Sequence, residues 1–337
     1  MGDVRSRGNP MRNFLQEQLG RSAFLLGGCP FRWLNREVQA EVFTPTTLPP
    51  LKRGVLRYGV IGSPISHSLS PSMQLAGWQA LGIPAEYFRI EIPSGELEKA
   101  VPQLIQAGLA GWNCTLPHKG EMFRLSQIKD SSALEAESVN TVQILNGKIH
   151  GSSTDAPGWA RAVTETWPNS LPPDRVLLLG CGGVGQSIAR FLARTGCDSL
   201  TLVNRDPLRA QRLLRELTPL VAGRFSIRQM DWDLSALREA LKETDLLLHG
   251  TSLGLKETDP SPIPEEHLNP PMRIYDTLYR KDLTPLVQAG RKRGCLAIDG
   301  LGMLLHQGAL SFELWSKKPA PLQPMRAALK QVAGRNL

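Results

Sequence analysis

Cysteine is scarce in this sequence, and its placement gives no sign of a metal centre. The 337 residues include 5 cysteines, which are scattered and odd in number. No C-x-x-C pair and no cluster of cysteine with histidine occurs, so the spacing does not suggest zinc. Scattered thiols are most simply accommodated in a reducing cytosol, and we therefore expect a cytoplasmic protein without a bound metal.

Long apolar runs are missing as well, and the body of the chain carries little excess charge. No apolar run approaches the roughly 18 residues that span a bilayer, so we expect no membrane partner. The net charge is +8, and residues 1–53 carry half of it, with eight Lys and Arg against four Asp and Glu. The mild excess in the remainder does not favour nucleic acid and is compatible with anionic small molecules, including a phosphorylated cofactor.

Residues 1–53 lack regular patterning. They are rich in arginine and end in a segment, residues 44–50, whose prolines and threonines are typical of a linker. We predict a disordered N-terminal extension over residues 1–53. The alternatives are a loosely docked extension and translation from a later start such as Met11.

From residue 54 onward, segments with strand patterning alternate with segments at helical spacing. Residues 85–92 alternate as a strand, whereas residues 94–107 place apolar side chains at helical spacing. Asn146 and Gly147 separate two apolar runs, which is a strong signal for a hairpin. Strands that alternate with helices predict an α/β fold whose sheet has substantial parallel character.

Residues 111–119 combine a strand end with polar side chains that can hold a small polyol. Asn113 and Thr115 fall at alternate positions and are expected on one face of a strand. A turn then brings Lys119 beside them, where a lysine in a cleft can act as an acid/base catalyst. The alternative is a solvated surface lysine, and His118 is expected to turn away toward the surface.

An apolar strand at residues 175–179 leads into the pattern G-x-G-x-x-G at residues 180–185, and a helix follows. The glycines permit a tight turn and a close approach of the backbone to a pyrophosphate. The helix N-terminus supplies amides and a partial positive charge. Because a strand and a helix flank the motif, it predicts a doubly wound, dinucleotide-binding domain.

The next strand ends in Asn204, Arg205 and Asp206, and Arg209 follows one turn later. Many NAD enzymes place an acidic residue at this strand end to bind the ribose hydroxyls. A guanidinium can pair bidentately with a 2′-phosphate, so Arg205 favours NADP over NAD. Asp206 would repel such a phosphate and keeps NAD open, and two surface arginines are a further alternative.

Polar residues also follow other predicted strands, at the edge where open α/β sheets bind their ligands. Asp155 lies at the junction after the hairpin, although alone it could equally cap a helix. Thr251 and Ser252 follow one later strand, Tyr279 ends another, and Gln307 lies in the first turns of a closing helix.

Taken in order, these motifs resemble the shikimate dehydrogenase family over about residues 54–330. The resemblance implies an α/β substrate-binding domain at residues 54–154 and 303–337, and a Rossmann-type NADP-binding domain at residues 155–302. It implies reversible hydride transfer between NADPH and 3-dehydroshikimate, giving shikimate for the biosynthesis of chorismate and aromatic amino acids, by a monomer or homodimer. The motifs are GSPISHSLSP, GWNCTLPHK, ESVNTV, STDAPGW, GCGGVG, NRDPLRA, HGTSLG, YDTLYRKDLTPL and DGLGMLLHQ.

The resemblance also implies residue roles. Lys119 and Asp155 match an acid/base pair, in which a cationic lysine stabilises the charge that grows on the ketone oxygen; which of the two carries the proton is left open. The substrate positions are Ser68 and Ser70 at the carboxylate, Asn113, Thr115, Asn140 and Gln307 around the ring hydroxyls, and Tyr279 from the cofactor domain. The cofactor positions are Gly180, Cys181, Gly182, Gly183, Val184, Asn204, Arg205, Asp206, Arg209, Thr251, Ser252, Thr277, Gly300 and Met303, the last of which could equally pack at a helix start.

Three positions depart from the family pattern. Gln74 stands where the family usually has His, Ser153 stands for Asn, and Asp206 stands for Thr. The first two are polar replacements outside the acid/base pair, whereas the third keeps open a quinate/shikimate dehydrogenase that uses NAD. A non-catalytic, metabolite-sensing relative would be expected to lose Lys119 or Asp155, and both are present.

Overall fold

The computed structural model describes residues 41–336, so most of the predicted extension, residues 1–40, lies outside the described residues. The described chain forms two sheets with helices packed on them, one of seven strands and one of six. The predicted α/β fold is therefore confirmed. Among the helices of residues 41–336, none has both the length and the apolar character that crossing a membrane requires.

The first sheet is parallel on one side and ends in an antiparallel hairpin. Its strand order is β1-β3-β2-β4-β6-β7-β5. The turn at Asn146 and Gly147, with φ of 52° and 73°, joins β6 and β7 as predicted, because both residues adopt the left-handed region. The strands are β1 (Val42–Phe43), β2 (Leu56–Gly62), β3 (Ala85–Glu91), β4 (Gly111–Cys114), β5 (Ile128–Lys129), β6 (Thr141–Leu145) and β7 (Lys148–Ser152).

This sheet begins earlier than the sequence predicts. Val42 and Phe43 pair in parallel with Arg89 and Ile90 of β3, so they form an edge strand within the segment assigned to the extension. The fully buried Arg57 donates hydrogen bonds to the carbonyls of residues 49 and 50 at 2.9 Å each. The segment that follows the edge strand is thus held against the first domain and does not act as a free linker.

Four helices follow the strands of the first domain. One of them corresponds to the helix that periodicity predicts over residues 94–107. Lys119 is the first residue of one of the short helices, so it lies at a helix start and not in a loop. The helices are α1 (Ser70–Ala80), α2 (Leu97–Gln106), α3 (Lys119–Leu125) and α4 (Ser131–Ala136).

The second sheet is wholly parallel, with the order β10-β9-β8-β11-β12-β13. From β8 the strand order runs outward in opposite directions, to β9 and β10 on one side and to β11, β12 and β13 on the other, and doubly wound sheets open a ligand crevice at such a switch point. The strands are β8 (Arg175–Leu179), β9 (Ser199–Val203), β10 (Ser226–Met230), β11 (Leu246–His249), β12 (Arg273–Asp276) and β13 (Leu296–Ile298). The helices between them are α6 (Gly183–Thr195), α7 (Pro207–Val221), α8 (Leu234–Lys242) and α9 (Pro285–Lys292).

Two crossing helices join the sheets: α5 (Asp155–Thr166) leads out of the first sheet, and α10 (Leu301–Ser316) returns to it, followed by α11 (Leu322–Ala333). A Cβ at Gly158 would lie 2.6 Å from the backbone nitrogen of Gln307. Only glycine permits this approach of α5 to α10. Because α10 begins at Leu301, the predicted domain boundary after residue 302 falls inside this helix.

Candidate active site

A lysine and a carboxylate from different helices meet in the cleft between the two sheets. The Nζ atom of Lys119, at the start of α3, lies 2.6 Å from Oδ2 of Asp155, at the start of α5. Their side chains are only 11% and 5% exposed. Asp155 occupies the first turn of its helix, where the helix dipole favours a carboxylate. The two side chains therefore form an ion pair that is largely shielded from solvent.

Asn140 fixes the orientation of this carboxylate. Its Nδ2 donates to Oδ1 of Asp155 at 2.9 Å and also lies 3.3 Å from Oε1 of Gln307. Its Oδ1 accepts from the backbone N–H of Thr154 at 2.8 Å. The structure therefore brings together three residues that the sequence assigns to the site from three separate segments. Both oxygens of Asp155 are engaged, one by the lysine and one by the amide.

Asn113 lies behind this group and is satisfied by protein partners. Its Nδ2 donates to Oγ of Ser311 at 2.9 Å, and its Oδ1 accepts from the hydroxyl of Tyr87 at 2.7 Å. Thr115 follows the end of β4, with its methyl group against Gly62. These contacts make Asn113 a brace between β4, β3 and α10; its contact with a ring hydroxyl stays a prediction.

A polar loop, residues 63–70, closes one side of the cleft and is called the serine loop below. Ser68 and Ser70 in it are buried at 6% and 5% exposure, and the N–H of Ser70 lies 3.4 Å from Oγ of Ser68. Tyr279 approaches this loop from the second domain and packs against the core of the first domain. Burial raises the pKa of Tyr279 to about 12, and nearby Arg89 and the backbone of Leu69 act in the opposite direction.

The glycine-rich segment presents the features that a pyrophosphate requires. Gly180 has φ of 104°, and a Cβ there would lie 2.6 Å from the methyl group of Thr251. A Cβ at Gly185 would collide with the carbonyl of Gly180, whereas Cβ atoms at Gly182 and Gly183 would meet their nearest neighbours only at van der Waals distance, 4.0 and 3.9 Å. The N-terminus of α6 has no side-chain cap, so its amides are available to an anion. The segment fits a dinucleotide.

The glycine-rich segment also lies next to Lys119. A Cβ at Gly183 would lie 3.9 Å from Cδ of Lys119. The dinucleotide loop of the second domain and the lysine of the first therefore border the same space. A dinucleotide bound by the glycine-rich segment would therefore lie near the lysine.

Asn204 and Asp206 have local structural partners at the end of β9. Oδ1 of Asn204 accepts from the N–H of Cys181 at 2.9 Å and so braces the glycine segment. Asp206 caps α7 through the N–H of Leu208 at 3.1 Å and lies 3.6 Å from Nε of Arg209. The cap and the adjacent guanidinium reduce the repulsion that this carboxylate would exert on a phosphate. A cavity of about 370 Å³ opens beside it, with Arg205 and Trp232 in its walls.

A buried triad holds the segment after β11. Nδ1 of His249 lies 2.9 Å from Oδ1 of Asp276, and its Nε2 lies 2.6 Å from Oγ1 of Thr251. The same Asp276 oxygen accepts from the N–H of Leu278 at 3.0 Å. Two segments that border the crevice are thus tied together by one histidine. No feature of the sequence pattern identified His249 as a site residue.

Three other predicted cofactor positions have different surroundings. Gly300 packs on the carbonyl of Thr277, where a Cβ would collide. Ser252 is exposed. Met303 is 6% exposed and belongs to the core of the second domain, which is the helix packing that the sequence left as its alternative.

Family models match three segments of the chain. A shikimate dehydrogenase substrate-binding domain matches residues 60–142, and a shikimate 5'-dehydrogenase C-terminal domain matches residues 300–330. A saccharopine dehydrogenase NADP-binding domain matches residues 176–252. A shikimate dehydrogenase (NADP(+)) of Rubrobacter xylanophilus is 38% identical over 274 residues, which cover 80% of this chain and 94% of the relative.

The chain belongs to the shikimate dehydrogenase family. A Thermus thermophilus shikimate 5-dehydrogenase, solved with NADP(H) and shikimate, superposes with a TM-score of 0.71 at 30% identity and covers 82% of this chain and 99% of its own. A quinate dehydrogenase of Corynebacterium glutamicum, solved with NAD, has a TM-score of 0.74 at 27% identity and the same coverages. The predicted family is therefore confirmed.

Within this shikimate dehydrogenase fold, one side chain differs from its sequence-based expectation, and another was overlooked. His118 was expected at the surface, but it is 0% exposed, and its Nε2 lies 2.6 Å from the carbonyl of Ile92. The chain enters α3 directly after His118, so strand alternation no longer applies there. Arg89, which lies within the strand predicted at residues 85–92, was not assigned to the site from the sequence. Its Nε donates to the carbonyl of Ser68 at 2.9 Å.

Proposed function

We propose that this protein catalyses the reversible reduction of 3-dehydroshikimate to shikimate with NADPH. The observation that carries the proposal is the Lys119–Asp155 pair, 2.6 Å apart, in a cleft that the glycine-rich segment also borders. Relatives named shikimate dehydrogenase (NADP(+)) cover four fifths of the chain. We further propose that the protein acts in the cytoplasm, where the four cysteines that are free in residues 41–336 would stay reduced.

In the forward direction the ketone gains a hydride at carbon and a proton at oxygen. NADPH supplies the hydride when it is bound. Lys119 stabilises the negative charge on the oxygen and gives up the proton from Nζ, so that ketone, hydride and proton balance to the alcohol. In the reverse direction the neutral amine takes the hydroxyl proton.

Asp155 acts as the partner of the lysine. Its Oδ2 holds Nζ of Lys119, and its Oδ1 is occupied by the Asn140 amide. A carboxylate with both oxygens engaged is suited to orienting the ammonium group. We therefore assign the proton to Lys119 and the orienting role to Asp155.

The substrate is held from both domains. Ser68 and Ser70 offer hydroxyl groups to the substrate carboxylate, and Tyr279 reaches the same place from the second domain. The amides of Asn140 and Gln307 lie beside the catalytic pair, and these amides and the Thr115 hydroxyl suit the ring hydroxyls. Hydroxyl and amide groups discriminate polyols because a missing hydroxyl leaves a buried polar group unpaired.

The cofactor is NADP. The amides at the start of α6 receive the pyrophosphate, and Arg205 and Arg209 lie where the second β-strand of the domain ends. A guanidinium in that place favours a 2′-phosphate. Asp206 is held by its helix cap, so it is less available to the ribose hydroxyls that an NAD enzyme would bind.

Initial rates with purified protein test the proposal. Shikimate and quinate are each oxidised with NADP and with NAD, and kcat/KM is compared over the four combinations. We expect the highest kcat/KM for shikimate with NADP. A higher value for quinate with NAD would assign the protein to the quinate branch of the fold, and no turnover in any combination would favour a metabolite-binding role.

A further inference from the structure

One face of β3 lies beneath the serine loop. Tyr87, Arg89 and Glu91 alternate along the strand, so their side chains share a face. The Tyr87 hydroxyl donates to Asn113 in the substrate cleft. The two oxygens of Glu91 accept from Oγ of Ser63 at 2.6 Å and from the N–H of Ile65 at 3.0 Å. This face therefore shapes the loop that carries Ser68 and Ser70.

Arg89 differs from its neighbours because it is a half-buried charge without a carboxylate partner. Its guanidinium makes one hydrogen bond to the described residues, from Nε to the carbonyl of Ser68 at 2.9 Å. By contrast, the buried Arg57 pairs with Glu86 at 3.0 Å. A guanidinium has five N–H donors, and Nε accounts for one of them. The donors of the two terminal nitrogens remain for a ligand.

The surroundings of Arg89 indicate the charge of that ligand. Burial lowers the pKa of Arg89, and the hydroxyl of Tyr279 acts in the opposite direction. Removing a cation from water without a counterion is costly. An anionic ligand group at this place would compensate the cost, and it would lie between the serine loop and Tyr279.

We infer that Arg89 determines the preference for a carboxylate substrate, by placing its positive charge opposite the carboxylate held at Ser68 and Ser70. This inference rests on the proposed function. Planar guanidinium groups bind carboxylates through two parallel hydrogen bonds, and a lysine reproduces the charge but not that geometry. Arg89 touches the substrate and takes no part in the proton transfer.

A neutral substrate analogue separates this role from a structural one. KM and kcat are measured for shikimate and for its methyl ester, at saturating NADP, with the wild type, Arg89→Met and Arg89→Lys. Arg53→Met, an exposed arginine of the same domain, controls for the change in net charge. KM for NADP is measured in each variant.

We expect Arg89→Met to raise KM for shikimate roughly tenfold or more, the scale of a hydrogen bond to a charged group. KM for the methyl ester and KM for NADP should stay within about twofold, kcat should change little, and Arg89→Lys should restore part of the preference for the acid. Equal losses for acid and ester would make Arg89 a brace of the serine loop and would overturn the inference. So would an unchanged KM for shikimate.

Two results protect the test from other failures. If Arg89→Met does not fold, Arg89→Lys and the wild-type ratio of kcat/KM for acid over ester still decide, because a wild type without preference for the acid contradicts the inference. If the wild type does not turn over shikimate at all, the proposed function fails, and that outcome is visible before any variant is compared.

Discussion

Lys119 and Asp155 lie 36 positions apart in the sequence, yet Nζ of the first is 2.6 Å from Oδ2 of the second. Each is the first residue of its helix, so the N-termini of α3 and α5 converge on one point. Asn140, from the start of the hairpin, locks the carboxylate from the other side. Three chain segments thus set the geometry of the pair.

Replacing the carboxylate by its isosteric amide tests the role of Asp155. Asp155→Asn removes the negative charge beside Nζ and leaves the lysine without its orienting partner. We expect kcat to fall by roughly a hundredfold, the lower range for a positioned acid–base group. KM for NADP should remain within about twofold, because Asp155 does not border the pyrophosphate. An unchanged kcat would remove Asp155 from the mechanism.

Two glycines of the dinucleotide segment should respond differently to the same substitution. A Cβ at Gly182 would come no closer than 4.0 Å to its nearest neighbour, the Gly250 carbonyl, so Gly182→Ala should fold normally and raise KM for NADP by crowding the pyrophosphate. A Cβ at Gly185 collides with the Gly180 carbonyl, so Gly185→Ala should lower the free energy of unfolding by roughly 1–3 kcal/mol. Thermal denaturation and cofactor titration separate the two effects, and similar behaviour of both variants would contradict this account.

The residues after β9 should set the choice between NADP and NAD. Arg205→Met combined with Arg209→Met should raise KM for NADP roughly tenfold and leave KM for NAD nearly unchanged, because only NADP carries the 2′-phosphate. Asp206→Ala should cost about 1 kcal/mol of stability through the lost helix cap and change the cofactor ratio little. A switch toward NADP in Asp206→Ala would show that this carboxylate opposes the phosphate directly.

Tyr279 should act as a neutral hydrogen-bond donor at every accessible pH. Burial raises its pKa to about 12, so the phenol keeps its proton below that pH. Tyr279→Phe should therefore raise KM for shikimate by a factor of about ten that is the same at pH 7 and at pH 10. A ratio of variant to wild-type KM that falls at the higher pH would mean that the phenol ionises in this range.

Most of the fold was predictable from the sequence because its signals are local. The G-x-G-x-x-G segment between a strand and a helix, and Asn146-Gly147 between two apolar runs, each specify backbone geometry within a few residues. Polar residues at strand ends likewise converge, because parallel strands place those ends on one edge. Lys119 and Asp155, which follow β4 and β7, meet in this way, whereas Asn140 reaches the site from the start of the antiparallel strand β6 and Gln307 from α10.

The remainder depends on contacts that no local pattern encodes. Val42 and Phe43 join the sheet through pairing with β3, and proline-rich patterning in the following residues gave no sign of it. Met303 was assigned to the cofactor site, with packing at a helix start as the alternative, and it packs into the core. Arg89 and His249 are identified only by what faces them: a serine loop in one case, a buried carboxylate and Thr251 in the other.

The most direct test of the central claim is the kcat of Lys119→Ala for shikimate oxidation with NADP. Lys148→Ala, an exposed lysine of the same domain, serves as the control. We expect kcat to fall by roughly a hundredfold or more while KM changes modestly, because the lost group acts on the proton of the reacting hydroxyl. An unchanged kcat in Lys119→Ala would place the acid elsewhere and contradict the account.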